Sequence, residues 1–527
     1  MEQPMSPESQ LLVLLKSLDR KPALLVPAKS CDEQDVDVID VSPLTHTLEA
    51  IGTATYARNL LLAAVEASAG CNAAVGCLVG LALGDAVGAP LEFLDADQSL
   101  PDVERGAYGL YRQLDRPCLL PHCSESQLTY KSMFNNFELS RGQWTDDTSM
   151  ALCLADSLLV HGRYCGGDVR TRFHMWWTHG YCNAFRYDSD RIERASVGLG
   201  TNIACSLTEI ERIARADNNS DAVPAIYASR TNDAGNGSMM RLAPVPIAYH
   251  LHLRRALDIA VLQSCATHPG PDAAVCCCFM TFFILQAISA HQDGDRPQDK
   301  PHEFLERIIW DFLELSDGSS EMSAFHSLPG SEGAFERLSS LLRCVPPTAK
   351  EQNWDWRQNE LKIQEAITAR GNLYNGYDVN PGYFGSYSMD GLAMALWALW
   401  HSDSFSGCLL RAVNLLGDAD TVGAIAGQLA GAIYGYRGIA SEPFGKVCLA
   451  SLERWDPYFE IGLKGALLYH QGAVVDVESE DLATDLGSLA LFDSKRKKVD
   501  KKDKKDKKDK KKDKKDKKNK STRPIED

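Results

Sequence analysis

The chain has 527 residues, 44% of them hydrophobic and 24% charged, so it is not disordered as a whole and can bury one large core or about two to three ordinary ones. Its formal net charge of −16 hides an asymmetry: residues 495–520 carry 18 Lys and Arg against 6 Asp, a surplus of 12 that leaves the rest of the chain at −28. A body this acidic repels nucleic acid, and any polyanion contact has to come through that basic stretch.

The N-terminus, MEQPMSPESQ, has no cationic start before an apolar run and does not read as a signal peptide. Residues 1–70 read as a helical extension: an amphipathic stretch (LLVLLKSLDR), a polar acidic stretch around Cys31 to Asp40, and a second helical stretch to Ala69. None of it carries chemistry that can be named. The informative body spans 71–472, with two surface elaborations expected at about 94–141 and 291–375.

Long helical patterns and few alternating apolar and polar runs predict an all-α body. The longest apolar run, about Ala273 to Ile288, is shorter than the roughly 20 residues that span a bilayer and reads as a core helix. It contains three consecutive cysteines, Cys276, Cys277 and Cys278, and the 16 cysteines of the chain lack paired metal-type spacing. They read as buried free thiols, which implies a reducing, intracellular location. Residues 473–527 read as a disordered tail, in which 495–520 has no apolar residue but Val499 and cannot offset the entropy of folding. Lys495 to Lys498 is the tail's densest basic cluster, either a nuclear-import or polyanion-binding segment or a solubilising appendage.

Two glycine ladders stand out. Gly76, Gly80, Gly84 and Gly88 recur every four residues, as do Gly423, Gly427, Gly431 and Gly435, and each set falls on one helical face. A glycine costs a helix roughly 1 kcal/mol against alanine, so four on one face call for a compensating close approach. The ladders are expected to pack together, antiparallel, with the end of the first (Asp85, Glu92) beside the start of the second (Asp418, Asp420, Thr421).

Two acidic clusters each open onto a small-residue helical run: Thr145, Asp146, Asp147 and Thr148 before SMALCLADSLL, and Asp418, Asp420 and Thr421 before the second ladder. Ser, Thr and Asp are the preferred helix N-caps, so capping is one reading. Vicinal carboxylates repel, however, and two such clusters with hydroxyls beside them suit an oxygen-rich cage for hard divalent cations.

The ordered set GCLVGLALGDAVGAPLEF (76–93), GQWTDDTSMALCLADSLL (142–159), AGNGSMMRLAPVPI (234–247), THPGPDA (267–273), GSYSMDGLAMALWAL (385–399) and AVNLLGDADTVGAIAGQLAGAIYG (412–435) resembles the ADP-ribosylglycohydrolase family over roughly 71–440. The resemblance implies a compact orthogonal multi-helix bundle with a binuclear metal site in a central cleft. It implies two divalent cations, Mg²⁺ or Mn²⁺, held by Thr145, Asp146 and Asp147 on one side and Asp418, Asp420 and Thr421 on the other. Glu92 and Asp146 would be catalytic carboxylates. Asp85, Asn236, Gly237, Ser238 and His268 would line the substrate, the Asn-Gly-Ser turn near its phosphates.

The expected activity is metal-dependent hydrolysis of the bond between the anomeric carbon of ADP-ribose and a protein side chain or a small acceptor. A non-catalytic ADP-ribose binder or crystallin-like protein on the same scaffold is the alternative. The expected partners are an ADP-ribosylated protein or small adduct, with no membrane; the expected state is a monomer, cytoplasmic and nuclear.

Overall fold

Hydroxyl side chains start several of the helices where the sequence supplies them: the Ser6 hydroxyl accepts from Ser9 N–H, Thr53 from Tyr56 N–H and Ser68 from Cys71 N–H. The computed structural model describes residues 5–21, 23, 42–96, 135–216, 223–227, 233–315, 320–371 and 382–473. Among them the regular elements are helical, as expected, and one isolated backbone bridge joins Gly235 to Tyr387. The helices are α1 (Pro7–Ser17), α2 (Pro43–Ile51), α3 (Ala54–Ala67), α4 (Ala69–Gly88), α5 (Asp146–His161), α6 (Gly166–His179), α7 (Thr201–Ala216), α8 (Pro244–Ala248) and α9 (Leu253–Cys265). They continue with α10 (Pro271–Gln292), α11 (Pro301–Leu315), α12 (Ser323–His326), α13 (Ser331–Leu342), α14 (Ile363–Arg370), α15 (Ser388–Trp400), α16 (Phe405–Val413), α17 (Ala419–Ser441), α18 (Pro443–Glu453) and α19 (Glu460–Gly472).

The centre is the antiparallel pair α4 and α17, joined along the two glycine ladders. A Cβ built on Gly76, Gly80, Gly84 or Gly88 would lie under 3.0 Å from the carbonyl oxygen of Gly431, Gly427, Gly423 or Ala419, in that order. The relation is reciprocal, since a Cβ on Gly423 would lie 2.5 Å from Gly84 O. Only glycine lets the two backbones approach this closely, and the packing gain offsets the helix cost of each residue. Gly435 departs from the expected ladder: with φ +67° it breaks the helical run, and Asn72 Oδ1 accepts the Arg437 N–H at 2.8 Å beyond the break.

The helix α10 runs through the interior and is longer than the apolar run suggested, 22 residues, because polar residues at both ends continue it. It is long and apolar enough to cross a bilayer, yet 89% of its hydrophobic stretch is buried inside the protein. The same holds for α4 and the turn after it, buried along the whole stretch. Cys276, Cys277 and Cys278 are fully buried free thiols, as expected, and burial raises all three, Cys277 to about 11.

The segment expected as a surface elaboration at 291–375 instead supplies core. Phe304, Leu305, Ile308, Ile309 and Phe312 of α11 pack inward, and Trp354 and Trp356 are among the largest fully buried side chains. Asp390 at the start of α15 ties the segment down, accepting from Asn353 Nδ2 (2.8 Å), Trp354 Nε1 (3.1 Å) and the Arg370 guanidinium (2.5 and 3.0 Å).

The helical part of the N-terminal extension docks on the body. The face of α1 bearing Leu11, Leu14 and Leu15 is buried against α19, and the backbone N–H of Ala23 donates to Asp168 Oδ1 at 2.7 Å. Near α2, Ser42 donates to Asp156 Oδ1 (3.1 Å), which also pairs with the buried Lys464 (2.9 Å). The stretch Cys31 to Asp40, most of the first expected elaboration and the tail with its Lys-rich stretch 495–520 lie outside the described residues.

Candidate metal centre and active site

Both acidic clusters stand at helix N-caps, Thr145 before α5 and Asp418 before α17, and neither side chain caps its own helix. Asp85, from the last turn of α4, does that work for α5. Its carboxylate accepts from Thr145 N–H (2.9 Å), Thr145 Oγ1 (2.9 Å), Thr148 N–H (2.9 Å) and Thr148 Oγ1 (2.7 Å). Because a fully buried Asp85 satisfies these donors, Asp146 and Asp147 are spared for another role.

The start of α17 is fixed in the same way by distant chain. The turn before it has Leu416 and Gly417 at positive φ, and the Gly417 N–H donates to Leu94 O (2.8 Å) while Gly417 O accepts from Phe93 N–H (3.0 Å). The Asp418 N–H donates to Phe384 O (2.9 Å). Asp418 Oδ2 accepts from Asn236 Nδ2 at 2.6 Å, and the Tyr383 hydroxyl also donates to this carboxylate.

The glycine ladder brings the two starts together with Glu92. Asp85, Asp147 and Asp420 can each place a carboxylate oxygen within 4.8 Å of the others, and so can Glu92, Asp418 and Asp420. Asp420 belongs to both groups, so the two sets of oxygens adjoin. Thr145 Oγ1 lies 3.3 Å from Asp147 Oδ2 and 3.4 Å from Asp420 Oδ2, bridging the clusters. Thr421 is buried beside Asp418.

Burial and the repulsion of neighbouring carboxylates push Glu92, Asp146, Asp147 and Asp420 well above the usual carboxylate range. Burial also raises Asp85, against its bonds from Thr148 and Thr145, and Asp418, against those from Asn236 and Tyr383. Two oxygens stand out: Asp147 Oδ1 and Glu92 Oε2 are buried with no hydrogen-bond partner among the described residues. A buried carboxylate oxygen without a donor is costly, and a hard cation in an all-oxygen donor set is the partner that removes the cost. The residues present fit such a cation.

The other expected site residues are each held by contacts of their own. Asp85 lies beneath the cluster as its organiser, both of its oxygens accepting from Thr145 and Thr148, and it still places a carboxylate oxygen within 4.8 Å of Asp147 and Asp420. Asp146 is outside both oxygen groups, its carboxylate against Gly198, whose φ of +90° and lack of a side chain leave room for it. Asn236 spends its amide nitrogen on Asp418 and on Gly385 O (3.0 Å). The Ser238 hydroxyl points into the interior, 2.8 Å from Ser264 Oγ, which leaves the backbone of the turn as the part that can face a phosphate. His268 is nearly buried, its Nδ1 2.7 Å from Thr267 Oγ1, and its ring packs against Gly235 and Gly237. Burial and the nearby Arg241 push His268 down to about 3, so it is neutral.

Sequence reasoning missed Tyr383, Arg241 and the aromatic pair Phe93 and Phe137. Arg241 is wholly buried and fixes the Asn236 turn, donating to Gly237 O (3.0 Å), Gln263 O (2.9 Å) and Thr267 Oγ1 (2.7 Å). Arg241 and Phe93 lie inside motifs that were read for other residues, whereas Phe137 and Tyr383 lie just outside them.

Residues 67–456 match the family model described as ADP-ribosylglycohydrolase. The chain is 30% identical over 378 residues to ADP-ribosylarginine hydrolase Tri1 of Pseudomonas putida (strain GB-1), covering 71% of this chain and 74% of that protein. It is 28% identical over 369 residues to ADP-ribosylarginine hydrolase Tri1 of Serratia proteamaculans (strain 568), covering 69% and 72%. It is 24% identical over 368 residues to ADP-ribosyl-[dinitrogen reductase] glycohydrolase of Rhodospirillum rubrum, covering 70% and 87%. The chain belongs to the ADP-ribosylglycohydrolase family. It is a hydrolase that removes ADP-ribose from a modified substrate, built on helices around a carboxylate cluster able to hold metal.

Proposed function

We propose that this chain hydrolyses the bond between the anomeric carbon of ADP-ribose and a guanidinium nitrogen of a modified arginine. The observation that carries the reading is the pair of adjoining oxygen groups sharing Asp420, with Asp147 Oδ1 and Glu92 Oε2 buried and unpartnered. The arginine acceptor is favoured by the two relatives named ADP-ribosylarginine hydrolase.

Thr145, Asp147 and Asp420 would hold one Mg²⁺ or Mn²⁺ and Asp418, Asp420 and Thr421 a second, supplying when bound the positive charge that orients vicinal ribose hydroxyls and polarises water. Glu92 stands at the edge of the cluster with Oε2 unpartnered, placed to take a proton from water and give it to the leaving nitrogen. In that step the bond from the anomeric carbon to nitrogen breaks and the bond to the water oxygen forms. The products are free ADP-ribose and unmodified arginine. Asn236 keeps Asp418 aimed at the cluster, and Arg241 keeps the Asn236 turn in place.

Mass spectrometry of an ADP-ribosyl-arginine peptide incubated with the chain tests the reaction. Free ADP-ribose with the unmodified peptide supports it. AMP with a phosphoribosyl peptide would mean phosphohydrolysis and contradict it. We also read the protein as an intracellular monomer whose stretch 495–520 directs it to the nucleus or to a polyanion. Deleting 495–520 should shift a fluorescent fusion out of the nucleus, and an unchanged distribution would dismiss that part.

A further inference from the structure

Beside the carboxylate cluster stands a set of aromatic rings, Phe93, Phe137 and Tyr383, none of which is fully buried. Phe93 follows Glu92 directly and has φ +69°, a left-handed conformation that a bulky side chain adopts at a cost. Its side chain remains 43% exposed. The backbone is nevertheless pinned there by the Phe93 N–H bond to Gly417 O, one residue before Asp418. Strain held in place to expose a ring points to a use for the ring.

Two neighbours complete the surface. The Tyr383 ring stacks on Phe93 with centroids 5.6 Å apart and planes 23° from parallel, and Phe137 meets Phe93 edge-on at 5.9 Å and 68°. Tyr383 donates its hydroxyl to Asp418, so the rings rise from the cluster itself. Phe137 is held from behind, its carbonyl accepting from Arg191 Nη2 at 3.2 Å. At the foot of the rings lies Glu92, 8% exposed, with Oε2 unpartnered.

We propose that Phe93, Phe137 and Tyr383 form the wall that receives the guanidinium of the acceptor, with Glu92 at its base, and so set the preference for a cationic leaving group. Aromatic faces attract a planar cation, most strongly where water is excluded, and a carboxylate at their edge adds a directed partner. A neutral acceptor of the same shape gains neither interaction. The inference rests on the arginine reading above, because it places the leaving nitrogen on the Glu92 side of the cluster.

The test is calorimetric titration of the full chain, in buffer with Mg²⁺ and ADP-ribose, with agmatine and with its neutral isostere N-carbamoylputrescine. The native chain should bind agmatine roughly tenfold more tightly than the isostere. In Phe93→Leu and Phe137→Leu that ratio should fall to about threefold or less, with thermal melts confirming that both variants fold. Equal binding of the two probes by the native chain, or an unchanged ratio in both folded variants, would overturn the wall. So would variants that lose affinity for ADP-ribose and keep the ratio, since the rings would then serve the nucleotide. Discrimination that collapses as expected, in a chain that releases no ADP-ribose from an arginine peptide, would uphold the wall and sink the hydrolytic reading instead.

Discussion

Asp85 and Thr145 are 60 positions apart in sequence, and the Asp85 carboxylate accepts both the backbone N–H and the hydroxyl of Thr145, each at 2.9 Å. This one residue caps α5 from a neighbouring helix and thereby leaves Asp146 and Asp147 uncommitted at the helix start. Replacing it with Ala strands several buried donors, at about 1–3 kcal/mol for each left unsatisfied. Asp85→Ala should therefore lower stability by on the order of 3 kcal/mol and lower cation affinity with it, read by urea unfolding and by calorimetry. A variant with unchanged unfolding midpoint would show that Thr145 and Thr148 find other partners.

The glycine ladder makes an unusually clear stability prediction. Gly80→Ala or Gly427→Ala places a methyl on backbone of the facing helix, which cannot give way without parting α4 from α17. Each should cost about 3 kcal/mol or more, because overpacking here displaces main chain instead of a side-chain tip. Gly333→Ala in α13 is the contrast: its Cβ would meet only the end of Arg337 at 3.5 Å. That change should be stabilising by about 0.5–1 kcal/mol, and differential scanning calorimetry of the three variants decides.

The docked extension should respond to acid. Asp168 accepts from Ala23 N–H (2.7 Å), pairs with Arg172 (2.7 Å) and lies 3.3 Å from His161. Burial alone would raise its carboxyl, but His161, Arg172 and Ala23 together hold it well below the usual 3.8. A group depressed in the folded state contributes stability above its unfolded value and loses it as the pH falls through the folded one. Urea midpoints should therefore drop as the pH goes below about 4. Asp168→Asn should be less stable than the native chain at neutral pH and show a flatter acid limb, and equal slopes for the two would contradict the assignment.

Much of the fold was legible because its central contact has a period. Glycines four apart on two segments fix which faces meet, and the antiparallel direction was expected because it brings Asp85 and Glu92 beside Asp418 and Asp420. The acidic clusters were legible because vicinal carboxylates at a helix start are expensive without a partner. What stayed hidden depends on contacts across long sequence separations. Nothing in the sequence around Asp85 says that it caps a helix 60 residues on, nor that Ser238 turns to Ser264 while Asn236 turns to Asp418. The aromatic wall was invisible for the same reason, since Phe93, Phe137 and Tyr383 come from three separate segments and share no spacing. The segment around Trp354 and Trp356 misled because its polar composition describes one face of its short helices and not the buried tryptophans.

The central claim is that Asp420 joins two oxygen groups into one cation-dependent hydrolytic site. The most direct measurement is release of free ADP-ribose from an ADP-ribosyl-arginine peptide by the native chain and by Asp420→Asn, each with Mg²⁺, with Mn²⁺ and with EDTA, alongside cation titration of both proteins. The native chain should bind two cations per molecule and release ADP-ribose only when they are supplied, and Asp420→Asn should lose both cations and nearly all turnover while remaining folded. Release that persists in EDTA, or a folded Asp420→Asn that keeps native turnover, would contradict the account.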